Sequence, residues 1–305
     1  MADNKDKKAV IFVTARNCEP YIARAIESLR TQTIQNFEIL MVDDASTDAT
    51  GDIAEEVLER EFGDRFTFFR NPAHIGKAAN AHKYLRQVEG DYVAILDGDD
   101  AVIDCHVLED FGRAYSDGYD VVWSNYRMND GRIGHCRPLN PLQSPRVQQW
   151  RTAHFFSFSL ELFRNIPDHY FKNSQGDWFM SACDQAIALP VLDQTRRYKY
   201  FDRTAYEYTC DNLMSHHNIN GLTKGMSSST QSANSQQVFA KKPMDLINRL
   251  DDAPVPYADY LAAKKFCDVL NENNELNLTL PQLENVLRQV NLNYPEISEK
   301  LKALL

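Results

Sequence analysis

Asp97, Asp99 and Asp100, with only Gly98 among them, close the apolar run Tyr92-Val93-Ala94-Ile95-Leu96. Carboxylates this close together at the end of a strand repel one another, and a fold tolerates them best when a cation neutralises the charge. Hard oxygen ligands suit Mg²⁺ or Mn²⁺, and such sites usually share the ion with the phosphates of a substrate. The chemistry implied is that of an enzyme acting on a nucleoside diphosphate. A solvated acidic turn has the same look, so the meaning of the cluster depends on what converges with it.

Three other polar segments follow or precede apolar elements in the same half. Thr14-Ala15-Arg16-Asn17 follows the run Ala9–Thr14, Asp43-Asp44-Ala45-Ser46-Thr47-Asp48 follows Phe37–Val42, and His74-Ile75-Gly76-Lys77 precedes a helical stripe. The elements that must position them alternate in type. Strands are expected at 9–14, 37–42, 66–69, 92–96 and 120–123, read as short apolar runs. Between them Ile22, Ala25, Ile26 and Leu29 recur at helical spacing after Pro20. Ile53, Val57 and Leu58 do so after Asp48 or Thr50 as a cap, and Ala78, Ala81, Leu85 and Val88 form a third stripe. This is an α/β alternation, with a mainly parallel sheet flanked by helices. Such sheets bind ligands beyond the carboxyl ends of their strands, where all these polar segments would meet.

The 305 residues allow one large domain with an appendage. The net charge of −10 argues against non-specific nucleic-acid binding, which needs a basic surface. The six cysteines show no C-x-x-C pair and no zinc spacing, so reduced thiols are expected. No stretch reaches the roughly 20 apolar residues that cross a bilayer, and the N-terminus lacks the apolar segment of a signal peptide. A cytoplasmic enzyme is expected, with a peripheral membrane contact left open.

The second half is less regular. Pro138, Pro141 and Pro145 with Gly131 and Gly134 suggest a surface excursion over 127–150, and helices are expected near 159–165 and 180–192. Residues 221–242, rich in Ser, Thr, Asn and Gln, read as a flexible loop or linker, and 243–305 as a helical appendage. His154, Asp177, Trp178 and Asp184 lie in the segments between.

In this order and spacing the chain resembles the family 2 glycosyltransferases, with their GT-A fold, over about residues 8–210. Val13-Thr14-Ala15-Arg16-Asn17 with Pro20-Tyr21-Ile22 is similar to their first-strand motif. Ser28-Leu29-Arg30-Thr31-Gln32-Thr33 with Glu38-Ile39 resembles S-x-x-x-Q-T-x-x-x-x-E-I, and Val42–Asp48 resembles V-D-D-G-S-T-D with Ala45 in the glycine's place. Asn71 to Asn80 resembles N-x-G-x-x-x-A-x-N, and Asp97-Gly98-Asp99 stands where those enzymes carry D-x-D.

The resemblance implies an inverting transferase with a GT-A domain over 8–220, its donor half at 8–126 and its acceptor half at 127–220. It uses a UDP-sugar and Mn²⁺ or Mg²⁺. Thr14, Arg16, Asn17, Asp43, Asp44, Lys77, Asp97, Gly98 and Asp99 would line the donor site, with Asp44 on the uracil, Asp43 orienting its loop and Lys77 on the diphosphate. Asp99 and Asp100 would hold the metal, and Asp97 would contact the ribose or a metal-bound water. Capping and turn roles are the alternatives for Asp43 and for Ser46-Thr47-Asp48. Asp184 would take the proton of the acceptor hydroxyl. The family's E-D pair reads Cys183-Asp184 here, and its late Y-R-x-H reads Tyr208-Thr209-Cys210-Asp211, so an acid, an arginine and a histidine are missing. His154, Trp178, Asp177, Asp211 and His216 are the remaining candidates for phosphate, sugar or acceptor contacts, and the Ser-rich loop would close over the donor. The acceptor is expected to be a surface glycan, with a protein or a modified nucleic-acid base as alternatives. A catalytically silent sugar-nucleotide-binding or scaffold protein is the competing reading.

Overall fold

The computed structural model describes residues 7–139, 144–212, 227–245 and 247. The expected His216 site and the helical appendage over 243–305 lie outside these residues, apart from 243–245 and 247. Two compact units are present. The first comprises the chain up to Pro138, Trp150–Val191 and Arg197–Lys242. In the second, Arg146 and Asp193 form a buried ion pair at 2.6 Å, and Asp193 also accepts the Met244 N–H at 3.1 Å.

The sheet of the first unit has the order β3-β2-β1-β4-β7-β6-β8-β5. Its strands are β1 (Ala9–Ala15), β2 (Phe37–Asp43), β3 (Phe66–Arg70), β4 (Tyr92–Asp97), β5 (Ala101–Val102), β6 (Val121–Met128), β7 (Phe156–Ser159) and β8 (Tyr198–Tyr208). β3, β2, β1 and β4 run parallel. β7 is antiparallel to both β4 and β6, and β8 is parallel to β6. β1 and β4 are buried nearly throughout, which is why their sequences are unbroken apolar runs. Register places Thr14 beside both Val42 and Asp97, so the polar ends of β1, β2 and β4 come out together at one edge.

Four helices pack on the parallel half: α1 (Ile22–Arg30), α2 (Thr50–Phe62), α3 (Lys77–Tyr84) and α4 (Val107–Ser116). α1 turns Ile22, Ala25, Ile26 and Leu29 inward, all fully buried. The S-x-x-x-Q-T segment has a structural task. Ser28 Oγ accepts the Val102 N–H, and Gln32 both donates to the Asp104 carbonyl and accepts the Leu108 N–H. These bonds pin the chain just after Asp100 to the end of α1. Asp48 accepts the N–H and hydroxyl of Thr50 at the start of α2, but the cap position itself falls on Ala49, between the two residues expected to fill it, and Ala49 makes no side-chain cap bond.

In the second half, α5 (Leu160–Arg164) and α6 (Cys183–Asp193) lie near the expected positions. Three other places depart from expectation. β6 continues to Met128 because its polar members are paired. Ser124 N–H donates to the Phe155 carbonyl, and Asn125 Oδ1 accepts the Cys136 N–H. The expected excursion therefore begins later, and Gly134 folds back against the Tyr126 ring. β7 and β8 were not expected as strands, since β8 is only half-buried and shows no clean alternation. Finally, the linker expected over 221–242 contains a helix, α7 (Ser227–Ala240). No proline or glycine falls within it. Asn234 donates to Ser181, Gln237 accepts the Ser174 N–H, and Val238 is buried, so tertiary contacts hold a segment whose composition looked flexible. No helix among the described residues is long and apolar enough to cross a membrane.

Candidate active site

The turn after β4 is shaped by a close approach. A Cβ on Gly98 would stand 2.5 Å from Ala15 Cβ and 3.1 Å from both Ala15 Cα and the Thr14 oxygen. Glycine alone fits, and its N–H donates to the Thr14 carbonyl at 2.9 Å. The turn divides the three aspartates. Asp97 and Asp99 keep some exposure, whereas Asp100 has none. Asp100 accepts the Tyr206 hydroxyl at 2.7 Å and the Thr209 N–H at 2.8 Å, and Asp99 accepts Asn212 Nδ2 at 2.8 Å. Burial, then the charges of neighbouring aspartates, push both Asp99 and Asp100 above the ordinary carboxylate range. Uncompensated acid of this kind is chemically suited to a cation. Ligand atoms of Asp97, Asp100 and His154 lie within 4.8 Å of one another. His154 stacks on Tyr206 and Tyr208, and burial keeps its pKa below the usual value, which favours the neutral, ligating imidazole.

Arg24 of α1 supplies a cation that sequence reasoning did not single out. Its guanidinium donates to the Asp99 carbonyl at 3.0 Å and to Thr209 Oγ at 2.7 Å, and pairs with Glu207 at 2.8 Å. Thr209 occupies the place of the family's late arginine, so a guanidinium still reaches this spot from another element. Tyr206 and Asn212 were also missed. Tyr206 lies in β8, whose strand character the sequence does not announce, Asn212 follows that strand, and Arg24 comes from α1.

Asp43 and Asp44 divide their tasks as follows. Asp43 Oδ1 accepts both the N–H and the hydroxyl of Ser46, which closes the turn after β2. Ala45 sits in that turn at φ 61°, the left-handed region where glycine is the usual residue. Ala45→Gly is expected to raise stability by about 0.5–1 kcal/mol, the relief of left-handed strain less the added chain entropy, read from urea midpoints. Asn17, also at positive φ, ties the β1 end to the same turn. It accepts the Thr47 N–H at 2.8 Å and donates its own N–H to Ser46 Oγ at 3.0 Å. Arg16 beside it is exposed.

Asp44 is 4% exposed, and its two oxygens have four partners. Oδ1 accepts Asn71 Nδ2 and the Ile75 N–H; Oδ2 accepts the Gly76 N–H and meets His74 Nδ1 at 2.8 Å. A carboxylate has about four lone-pair sites, so Asp44 is saturated. A nucleobase can reach it only if His74, the exposed partner, gives way. Asn80 Oδ1 and the Tyr84 hydroxyl hold Asn71 in turn, which gives the N-to-N motif a structural role. Burial would raise the Asp44 pKa, but the bonds from Ile75, Asn71 and Gly76 outweigh it and the net shift is downward. The sign follows from linkage. Its contribution to stability is complete above the unfolded value of 3.8 and is lost as the pH falls through the lower folded value. Asp44→Asn should therefore flatten the acid limb of stability, as urea midpoints measured on either side of that pH will show.

Lys77 joins the end of β4 to the head of α6. Its ammonium lies 2.5 Å from Asp97 Oδ1 and 2.6 Å from Asp184 Oδ1. Asp184 is the second residue of α6, and its side chain is 42% exposed. Cys183, in the place of the missing acid, is buried with its thiol directed at the Phe179 carbonyl. Three further candidates have contacts of their own. Trp178 contacts the His82 ring and the Lys172 ammonium, and Asp177 is exposed in the adjoining turn. Asp211 accepts Asn129 Nδ2.

A family model described as glycosyl transferase family 2 matches residues 10–181. The chain belongs to this family. Among curated relatives, the uncharacterized glycosyltransferase EpsJ of Bacillus subtilis is 34% identical over 210 residues, 65% of this chain and 60% of its own. The Escherichia coli enzyme WfaP, a UDP-Glc:α-D-GlcNAc-diphosphoundecaprenol β-1,3-glucosyltransferase, is 30% identical over 38% of this chain and 45% of its own. The match with B. subtilis EpsH spans only 33% of that protein. S. aureus TarS (residues 1–349), solved in complex with UDP, superposes with a TM-score of 0.54 at 17% identity. That likeness covers 93% of this family 2 chain and 91% of the TarS chain, and shows the shared fold.

Proposed function

We propose that this family 2 chain is an inverting glycosyltransferase that moves a sugar from a UDP-sugar to an acceptor hydroxyl. One observation carries the reading: a single lysine draws together a carboxylate of the D-x-D turn and the carboxylate at the head of α6. The two halves of a direct displacement, leaving diphosphate and attacking hydroxyl, require such groups on either side of one anomeric carbon. The UDP complex of a protein with the same fold supports the choice of nucleotide.

Asp97, Asp100 and His154 are the group whose ligand atoms lie close enough together to hold one divalent cation, with Asp100 set in place by the Tyr206 hydroxyl and the Thr209 N–H, and Asp99 is the accessible carboxylate beside them. When bound, Mn²⁺ or Mg²⁺ neutralises charge on the departing diphosphate as a Lewis acid. Lys77 adds a positive charge on the same side. Asp44 and its loop receive the uracil as His74 moves off, and Thr14 lies at the adjoining strand end. Asp184 accepts the proton of the acceptor hydroxyl as its oxygen attacks from the face opposite the leaving group, which inverts the anomeric centre. The acceptor proposed is a lipid-linked surface glycan; the printed name of WfaP, with GlcNAc-diphosphoundecaprenol as acceptor, supports the lipid-linked part of that reading.

The competing reading, a silent nucleotide-binding protein, is favoured by the saturation of Asp44 and by the loss of the late arginine and histidine. UDP release from UDP-glucose, UDP-galactose and their N-acetyl forms, measured with a diphospholipid-linked glycan acceptor and Mn²⁺, separates the two. Release with one donor and dependence on acceptor support the transferase. UDP binding without release from any donor supports the silent protein.

A further inference from the structure

Lys77 is the first residue of α3, preceded by Gly76 at φ 86°. The first turn is the positive end of the helix dipole and disfavours an ammonium. No acidic residue of α3 lies in that turn to offset it. What holds the charge there comes from outside the helix: Asp97 at the end of β4 and Asp184 at the head of α6. The lysine side chain is only 15% exposed. Burial by itself would lower its pKa, but the Asp184 and Asp97 charges outweigh that and hold it up, so the ammonium is permanent.

This pairing has a cost for each partner. Asp97 cannot present Oδ1 to a divalent cation while the ammonium sits on it at 2.5 Å. Asp184 cannot turn Oδ1 to an acceptor hydroxyl while the same ammonium sits on it at 2.6 Å. The two acids with the central tasks in the proposed reaction are therefore both engaged before substrate arrives, by one side chain.

We propose that Lys77 is a latch that couples donor loading to release of the base. In the empty site it occupies Asp97 and holds Asp184 back. When a nucleoside diphosphate and its divalent cation enter, the ammonium leaves both carboxylates for phosphate oxygens, and Asp184 is freed for the acceptor hydroxyl. The order of events, donor before acceptor, is then built into one residue. The inference rests on the donor site proposed above.

The test reads metal binding rather than turnover. Mn²⁺ affinity is measured without nucleotide, from the electron paramagnetic resonance of the free ion. The proteins are the wild type, Lys77→Met, Asp184→Asn and the double variant. Removing the ammonium should tighten Mn²⁺ binding about tenfold or more, as expected for a like charge displaced from contact range. Asp184→Asn should weaken it, because the ammonium then rests on Asp97 alone, and this weakening should largely vanish in the Lys77→Met background. A distant-charge effect of Asp184 would instead persist in both backgrounds, and that result overturns the latch, as does equal Mn²⁺ affinity in wild type and Lys77→Met. Lys77→Gln, with the same expectation, replaces the methionine variant if that fails to fold, and Lys77→Arg should stay near wild type. An intact Mn²⁺-dependent UDP complex with unchanged metal affinities sinks only the latch. Absence of Mn²⁺ binding in every variant removes both the latch and the donor site beneath it.

Discussion

Asp184→Asn is expected to lower kcat by about a thousandfold while leaving UDP binding in place, since general-base catalysis commonly contributes about 10²–10⁴. The amide keeps the size and most of the hydrogen-bonding capacity of the carboxylate, so α6 should stay formed. What it loses is the ability to take a proton. The structure adds a second expectation. Asp184 is one of two carboxylates on the Lys77 ammonium, so its loss leaves that charge on Asp97 alone. The variant should then combine a large fall in kcat with a modest rise in the metal concentration needed for half-maximal rate. Retained turnover would remove Asp184 from the chemistry and direct attention to Asp177, the exposed alternative in the turn before α6.

Gly98→Ala is expected to cost about 1–3 kcal/mol of stability, the usual penalty for forcing an extra carbon into packed space. It should also abolish metal-dependent nucleotide binding. The reason is where the new methyl would go. It meets Ala15 Cβ at 2.5 Å and the backbone of Ala15 and Thr14 at 3.1 Å. β1 cannot yield, because β2 and β4 pair with it on both sides. The turn must move instead, which breaks the bond from Gly98 N–H to Thr14 and shifts Asp97 relative to Asp99. Urea unfolding and a Mn²⁺-dependent UDP titration on the same sample measure the two effects. A variant as stable as wild type with full nucleotide affinity would show that the close approach is not what shapes the site.

The parallel half was legible in the sequence because its strands are buried on both faces and so read as continuous apolar runs. The polar residues at their ends were legible because nothing in a buried strand explains them. Asp43 could be read as a loop-geometry residue from its place in an Asp-rich turn, and its bonds to Ser46 are those of such a turn. The antiparallel half was harder. β8 is stabilised by neighbours far away in sequence; its tyrosines at 198, 200, 206 and 208 alternate, but Asp202 and Thr204 interrupt them and burial along the strand follows no period of two. Tyr206 therefore went unnoticed, although it orders both Asp97 and Asp100. Arg24 was hidden for a different reason. It lies in an ordinary amphipathic helix, and only the fold shows that its guanidinium ends beside Thr209. α7 misled through composition, since serine and asparagine are weak helix formers whose helix here depends on docking. Saturation of Asp44 and the double pairing of Lys77 are properties of geometry, and no spacing in the chain announces them.

On the proposed function, the β4 turn and its neighbours should form a metal-dependent site for a uridine nucleotide. Thermal unfolding with UDP, GDP and CDP, each with and without Mn²⁺, tests it most directly, because a ligand of the native state raises the midpoint with its occupancy. A rise is expected with UDP and Mn²⁺ together, none with GDP or CDP, and loss of the rise in Asp99→Ala. No rise with any nucleotide in a folded sample, or a UDP rise that Asp99→Ala leaves intact, would contradict it.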